Sequence, residues 1–168
     1  MHGYDYSQTG WYFVTICVKN WKCIFGNIDN GEMVLNEYGK IVQKRWLWIQ
    51  EQYEYVELDE FIIMPNHFHG ILIIEYEIHK VGTGRDLSLQ GKQKIKPLPQ
   101  LIGAFKTTSS KMIHQSGKPD FAWQRSFYDH IIRNEKSLNH IREYIRNNPL
   151  KWETDKNNPI NIKEKQYG

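Results

Sequence analysis

Apolar residues along this chain fall into short continuous runs that alternate with stretches repeating every three or four positions, a pattern that predicts strands alternating with helices. Residues 10–19, GWYFVTICVK, are aromatic and β-branched and predict a largely buried strand. Residues 20–31 read as an irregular, turn-rich connection. Between residues 35 and 50 the apolar positions Leu35, Tyr38, Ile41, Val42, Trp46 and Ile49 recur at helical spacing, so one face of a helix can pack on a sheet. Residues 55–64 (YVELDEFIIM) and 69–75 (HGILIIE) are two strand-like runs, and Pro65-Asn66 between them predicts a turn and an antiparallel hairpin. Residues 98–115 carry Leu101, Ile102, Phe105, Ser109, Met112 and Ile113 at helical spacing, with Pro99 tolerated in the first turn. Residues 126–133 (SFYDHIIR) predict a last strand. Asn134 then caps a helix whose apolar face is Leu138, Ile141 and Ile145, and Pro149 ends it.

The order β-α-β-β-α-β-α predicts an α+β domain: a ferredoxin-like, split βαβ antiparallel sheet with helices on one face and one extra C-terminal helix. A chain of 168 residues with 40% hydrophobic and 14% aromatic content has room for one core, placed at residues 1–152. Residues 77–97 are polar, without a sustained apolar period, and read as a mobile loop; residues 153–168 read as a loose polar tail. With 22 Lys and Arg against 19 Asp and Glu the formal charge is +3, which permits a polyanionic partner without demanding one. Cys17 and Cys23 are too far apart for a CxxC pair, and Cys17 lies in an apolar run, as expected of a reduced thiol in the cytoplasm. No secretion signal or membrane-length apolar stretch is present, so a membrane location is not expected.

Two constellations carry chemistry. His67 and His69 are one residue apart at the start of a strand, so their imidazoles share a face while Phe68 points to the other. Two such side chains can meet one cation, and they are the polar exceptions within IIMPNHFHGILII; spacing alone leaves a chance pair open. Tyr144 and Asn148, in REYIRNNP, are four residues apart on the last helix and present a phenol and an amide from one face. Taken alone, they read first as a core aromatic and a helix-end amide before Pro149.

Together, MPNHFHGILI, WQRSFYDHIIRN and YIRNNPLKW resemble the REP-associated tyrosine transposases and their insertion-sequence relatives in the single-tyrosine HUH group, over roughly residues 10–152. The resemblance implies that His67 and His69 bind a divalent cation, with Phe68 the apolar centre of the motif. It implies that Tyr144 is the nucleophile and that Asn148, where other members carry Gln, is a further metal ligand. It also flags Trp123-Gln124, Asp129 and His130, with His130 open between an accessory role at metal or phosphate and a strand histidine bonded within the sheet. The implied activity is cleavage and rejoining of single-stranded DNA through a 5′-phosphotyrosine. Imidazole and amide ligands suit Mg²⁺ or Mn²⁺. Lys106, Lys111, Arg125, Arg133 and Arg146 are candidate contacts to single-stranded or hairpin DNA. Tyr128 is the rival nucleophile, without an amide one turn away. The relatives imply a monomer or a homodimer. Three other readings stand beside this one: a non-catalytic ferredoxin-like nucleic-acid-binding module, a metal-dependent hydrolase using His67, His69 and His130, and a domesticated relative that binds without mobilising DNA.

Overall fold

The computed structural model describes residues 9–75 and 95–164, of the last three only the backbone. Its centre is a four-stranded antiparallel sheet in the order β4-β5-β1-β6, formed by β1 (Gly10–Cys17), β4 (Val56–Ile63), β5 (His67–Ile74) and β6 (Tyr128–Ile132). The predicted hairpin is β4-β5, but β5 opens at His67 rather than His69, because Met64 N–H donates to the His67 carbonyl and draws both histidines into the ladder. The expected loop over 77–97 lies mostly outside the described residues, and residues 95–97 lead directly into a helix.

Strand alternation divides the sheet's two faces. Tyr12, Val14 and Ile16 of β1, with Phe68 and Leu72 of β5, form the larger core with α1 (Glu37–Gln52) and α2 (Leu98–Gln115). Phe13 and Ile71 point the other way, into a small cluster with Ile132 and with Ile145 of α3 (Glu135–Asn147). β5 is therefore covered on both faces, and all eight of its residues are buried. The fold is the expected α+β sheet with two helices on one face and the extra helix, α3, on the other.

Phe68 anchors the strand. Its ring lies 4.5 Å from that of Trp46 on α1, and this approach is possible because residue 70 is glycine. A Cβ there would meet Phe68 Cζ at 2.7 Å and Trp46 Cζ2 at 2.8 Å. The segment expected to be irregular, 20–31, instead contributes β2 (Gly26–Asp29), which pairs with β3 (Glu32–Leu35) through a turn at Asn30 (φ 49°) and Gly31 (φ 75°). Two consecutive positive φ values are the geometry that Asn-Gly hairpins favour.

The C-terminal end also departs from expectation. After Pro149 the chain continues as a 3₁₀ segment, Pro149–Thr154, and then α4 (Pro159–Glu164). Asn157 and Asn158 are buried, with Asn158 Nδ2 donating to the Trp152 carbonyl at 3.0 Å and Asn161 Nδ2 to that of Asp155 at 2.8 Å. Side-chain-to-backbone hydrogen bonds hold this polar segment in place where a hydrophobic periodicity is lacking.

Candidate active site

The small-cluster face of the sheet brings His67, His69, Tyr144 and Asn148 together. β5 supplies the histidines, whose rings are 4.7 Å apart. α3 is positioned by an N-cap in which Asn134 Oδ1 accepts from Ser137 N–H at 2.8 Å, and by Leu138, Ile141 and Ile145 packed on the sheet. Its far end carries Tyr144, whose ring stands 5.3 Å from His69 and edge-on to Phe13 at 6.1 Å. The phenol is 40% exposed, so it is held by the core without being enclosed in it. Asn148 follows one turn later and is buried.

A β-bulge fixes the helix from the other side. Between Leu58 and Phe61, β4 carries one residue more than β5, which turns Asp59 and Glu60 out of the regular ladder. Arg142 of α3 grips Asp59 with two charge-assisted hydrogen bonds, Nε to Oδ1 at 2.8 Å and Nη2 to Oδ2 at 2.6 Å, and Arg146 Nε donates to Glu60 at 3.0 Å. The Arg142 guanidinium holds the Asp59 carboxyl below its ordinary range, against an opposing effect of partial burial.

The hydrogen bonds around His67 determine its tautomer. Asn66 is fully buried and its Nδ2 donates to two backbone carbonyls, of Trp21 at 3.0 Å and Asn157 at 2.8 Å. Its Oδ1 is therefore the atom 2.8 Å from His67 Nδ1, and since an amide oxygen only accepts, Nδ1 carries the proton. The lone pair of His67 is left on Nε2. His69 Nδ1 contacts Thr15 Oγ1 at 2.7 Å, placing its Nε2 likewise away from the strand.

Four buried side-chain polar atoms among the described residues lack a hydrogen-bond partner: His67 Nε2, His69 Nε2, Asn148 Oδ1 and Trp46 Nε1. The Trp46 indole is in the large core; the other three converge on one place. Asn148 presses on both His67 and Tyr144, favouring imidazolium at the first and phenolate at the second, yet its oxygen accepts no well-formed bond. Orphaned buried acceptors are costly and call for an explanation. Burial pushes His67 down to about 4, partly offset by the Asp155 carboxylate and Asn148. Burial, then the neighbouring His67 and Lys156, pushes His69 well below its usual 6.5. Both are neutral at pH 7, as metal ligation requires. Burial raises the Tyr144 phenol, as does Asp155, so it is protonated at rest.

These residues fit a divalent cation: the Nε2 atoms of two neutral imidazoles and one amide oxygen point inward without hydrogen-bond partners. No group of three or more His, Cys, Asp or Glu side chains able to hold an ion occurs among the described residues, and the Asn148 amide is the further oxygen that could join the two histidines around an ion.

The remaining predicted residues are placed differently. Lys106 Nζ donates to the carbonyls of Gln124, Arg125 and Ser126 at 2.9, 3.2 and 3.0 Å, so it is a brace rather than a free cation. Arg146 is exposed but engaged by Glu60, and Lys111, Arg125 and Arg133 are exposed. Lys111 and Arg125 border the groove between α2 and residues 121–125. Trp123 of the flagged segment is structural: Nε1 donates to Ser109 Oγ at 3.0 Å within the large core. His130 is exposed on β6 opposite Phe13, and Tyr128, 60% exposed, is opposite Thr15. Partners facing each other across an antiparallel ladder share a face, so both lie on the histidine side of the sheet.

Sequence reasoning missed Asn66, Thr15, Asp155 and the Asp59–Arg142 pair. Asn66 carries one signal in the sequence: it abuts the His-x-His pair.

No family model matches the chain. A protein of Haemophilus influenzae, itself uncharacterized, is 41% identical over 156 residues, 90% of this chain and 87% of the relative. A second Haemophilus influenzae protein, provisionally described as a REP-associated tyrosine transposase, is 26% identical over 147 residues, 88% of this chain and 74% of the relative. The solved structure of a REP-associated tyrosine transposase bound to a REP hairpin shares the fold, with a TM-score of 0.57 at 19% identity over 90% of this chain and 73% of that one. In sequence and in fold the chain is similar to REP-associated tyrosine transposases. A provisionally assigned transposase from Deinococcus radiodurans has the same architecture, with a TM-score of 0.50 and 18% identity over 88% of this chain and 95% of that one. Among the described residues no helix is long and apolar enough to cross a membrane.

Proposed function

We propose that this chain is a transposase-like HUH endonuclease that cleaves and rejoins single-stranded or hairpin DNA through a 5′-phosphotyrosine on Tyr144, with Mg²⁺ or Mn²⁺ held by His67, His69 and Asn148. The observation that carries the reading is the convergence of three unpartnered buried donor atoms beside a half-exposed phenol. The similarity of the chain to transposases, one of them solved with a REP hairpin, supports DNA as the substrate.

A bound cation would supply Lewis-acid polarisation of the scissile phosphate. The chain's own residues do the rest. Asn66 keeps the His67 lone pair on Nε2, and Thr15 orients His69. The Asp59–Arg142 and Arg146–Glu60 pairs hold α3 so that Tyr144 stands over the sheet rather than within it. The tyrosyl oxygen displaces the 3′-hydroxyl of the preceding nucleotide, forming one phosphoester bond as another breaks. The phenolic proton ends on that hydroxyl or on solvent, and reversal on another 3′-hydroxyl rejoins a strand without an external energy source. Oxygen ligands and neutral imidazoles suit a hard, labile ion.

The test is Tyr144→Phe on a hairpin with single-stranded flanks and Mn²⁺. Wild type should give an SDS-stable adduct that mass spectrometry maps to Tyr144, and the variant should bind DNA and metal without cleaving. An adduct on Tyr128, or hydrolysis with no adduct, refutes the proposal; the second outcome would favour water as the nucleophile.

A further inference from the structure

Asp155 follows directly on the 3₁₀ segment Pro149–Thr154, in a stretch that the sequence marks only as polar. Its side chain is 9% exposed. It is locked in place: Oδ1 accepts from Asn157 N–H at 2.7 Å, its N–H donates to the Trp152 carbonyl at 3.1 Å, and its own carbonyl accepts from Asn158 N–H at 3.0 Å and Asn161 Nδ2 at 2.8 Å. The same segment reaches the metal-site histidine twice more. The Trp152 ring is 6.1 Å from that of His67, and the Asn157 carbonyl holds the Asn66 amide that fixes the His67 tautomer.

Oδ2 is the free end of this carboxylate, and it lies 4.0 Å from His67 Nε2, the orphaned lone pair. That separation is too long for a hydrogen bond. Two ligand atoms on one ion, each about 2.1 Å from it, are at most about 4.2 Å apart. The gap between Oδ2 and Nε2 thus has the size of an ion. The carboxylate is mostly covered and bonded only through Oδ1, so its Oδ2 faces the buried imidazole across this gap with no hydrogen bond between them.

We infer that Asp155 supplies a carboxylate oxygen to the cation held by His67, His69 and Asn148, and that the C-terminal segment is therefore a structural part of the active site. The inference rests on the metal-site reading proposed above. His67, His69 and Asp155 do not by themselves form a ready three-residue cluster, so Asp155 is a fourth donor to a site centred on the histidines and the amide. A carboxylate adds a formal negative charge to an otherwise neutral set, which biases the site toward hard divalent ions over softer ones.

The experiment is calorimetric titration of the full chain, free of DNA, with Mn²⁺ and separately with Zn²⁺, together with the visible d–d spectrum of the Co²⁺ form. Asp155→Asn is the informative variant because it keeps an Oδ1 acceptor for Asn157 N–H and the shape of the side chain. It should weaken Mn²⁺ binding at least about tenfold, weaken Zn²⁺ less, and change the Co²⁺ spectrum. Asp155→Glu tests for recovery: a longer carboxylate should regain part of the Mn²⁺ affinity that Asn loses. Equal losses for Mn²⁺ and Zn²⁺ with an unchanged Co²⁺ spectrum would show that Asp155 acts only as a distant charge and would overturn the inference. Mn²⁺ affinity unchanged in Asp155→Asn but lost in His67→Ala/His69→Ala would overturn it while sparing the metal site. Absence of Mn²⁺ binding to the wild-type chain would remove the metal-site reading itself.

Discussion

Asn66→Ala removes a side chain that touches neither DNA nor metal in the proposed mechanism, yet it should damage both stability and metal binding. Three groups lose their partner: the part-buried carbonyl of Trp21, and the buried carbonyl of Asn157 and His67 Nδ1–H. An unsatisfied buried polar group costs about 1–3 kcal/mol, and a water entering the vacated space would recover part of the sum, so a net loss of about 2–4 kcal/mol is expected. With a urea m-value of roughly 1–3 kcal/mol/M for a domain of this size, the midpoint should fall by about 1–2 M. The second effect is separable. Without its acceptor, His67 is free to rotate or to carry its proton on Nε2, and loss of such a supporting contact typically costs about 10–100-fold in metal affinity. Asn66→Asp divides the two effects. It also loses the donors to both carbonyls and should be destabilised, but it still accepts from Nδ1–H and should keep Mn²⁺ affinity near wild type. Titration of the folded variants at a urea-free temperature well below the transition measures the difference. Mn²⁺ affinity within twofold of wild type in folded Asn66→Ala would refute the tautomer argument, whatever the melting behaviour.

Three further outcomes follow from the geometry. Gly70→Ala places a methyl within 2.8 Å of two fully buried rings, Phe68 and Trp46, and should lower stability by about 1–3 kcal/mol in a denaturant titration; a neutral result would mean that the ring pair yields without strain. A double-mutant cycle on Asp59→Asn and Arg142→Gln should give a coupling of about 1 kcal/mol, modest because the Arg142 side chain is 28% exposed, and the coupling should fade as pH falls and Asp59 protonates. Zero coupling at pH 7 would remove this pair as the tether of α3. Finally, burial lowers His67 to about 4 and His69 well below the 6.5 of an unfolded chain, so the unfolded state binds more protons below pH 6.5, for His67 down to about 4. Stability should be fully present above that window and decline on acidification through it, by up to about 1.4 kcal/mol per pH unit for each histidine; a flat urea midpoint between pH 7 and 5 would contradict the burial of neutral imidazoles.

The elements legible in the sequence are those whose burial writes a period into the chain. α1, α2 and α3 each press one side on the sheet, and their apolar positions repeat accordingly; α2 matches the expected 98–115 at both ends. The β2-β3 hairpin was illegible as a strand pair because it packs only one side partially, with alternating exposed and half-buried residues, although Asn30-Gly31 is the turn signal that would have marked it. The start of β5 was displaced by two residues because histidines carry little strand propensity of their own. What draws His67 into the ladder is its carbonyl, bonded to Met64 N–H, and a backbone bond leaves no trace in residue type.

The candidate site divides along the same line. His67, His69, Tyr144 and Asn148 could be named because their spacing puts each pair on one face of its element and the resemblance of the motifs around them joins the two pairs in one site; the fold then decides whether the two faces meet. Asp155 and Asn157 belong to a segment with no hydrophobic period, held by amide-to-carbonyl bonds that any polar tail has the groups to make. Such bonds are specific in space but degenerate in sequence: an Asn that caps a turn, an Asn that fixes a histidine tautomer and an Asn in a solvated tail are the same letter. The Asp59–Arg142 contact is hidden for a related reason, since it depends on one extra residue in β4 that turns the carboxylate toward a helix 83 positions away. Charge placement at this site is therefore a property of backbone irregularities, the bulge and the 3₁₀ turn, and the residues that exert it on His67 and Tyr144 become identifiable only once those irregularities are seen.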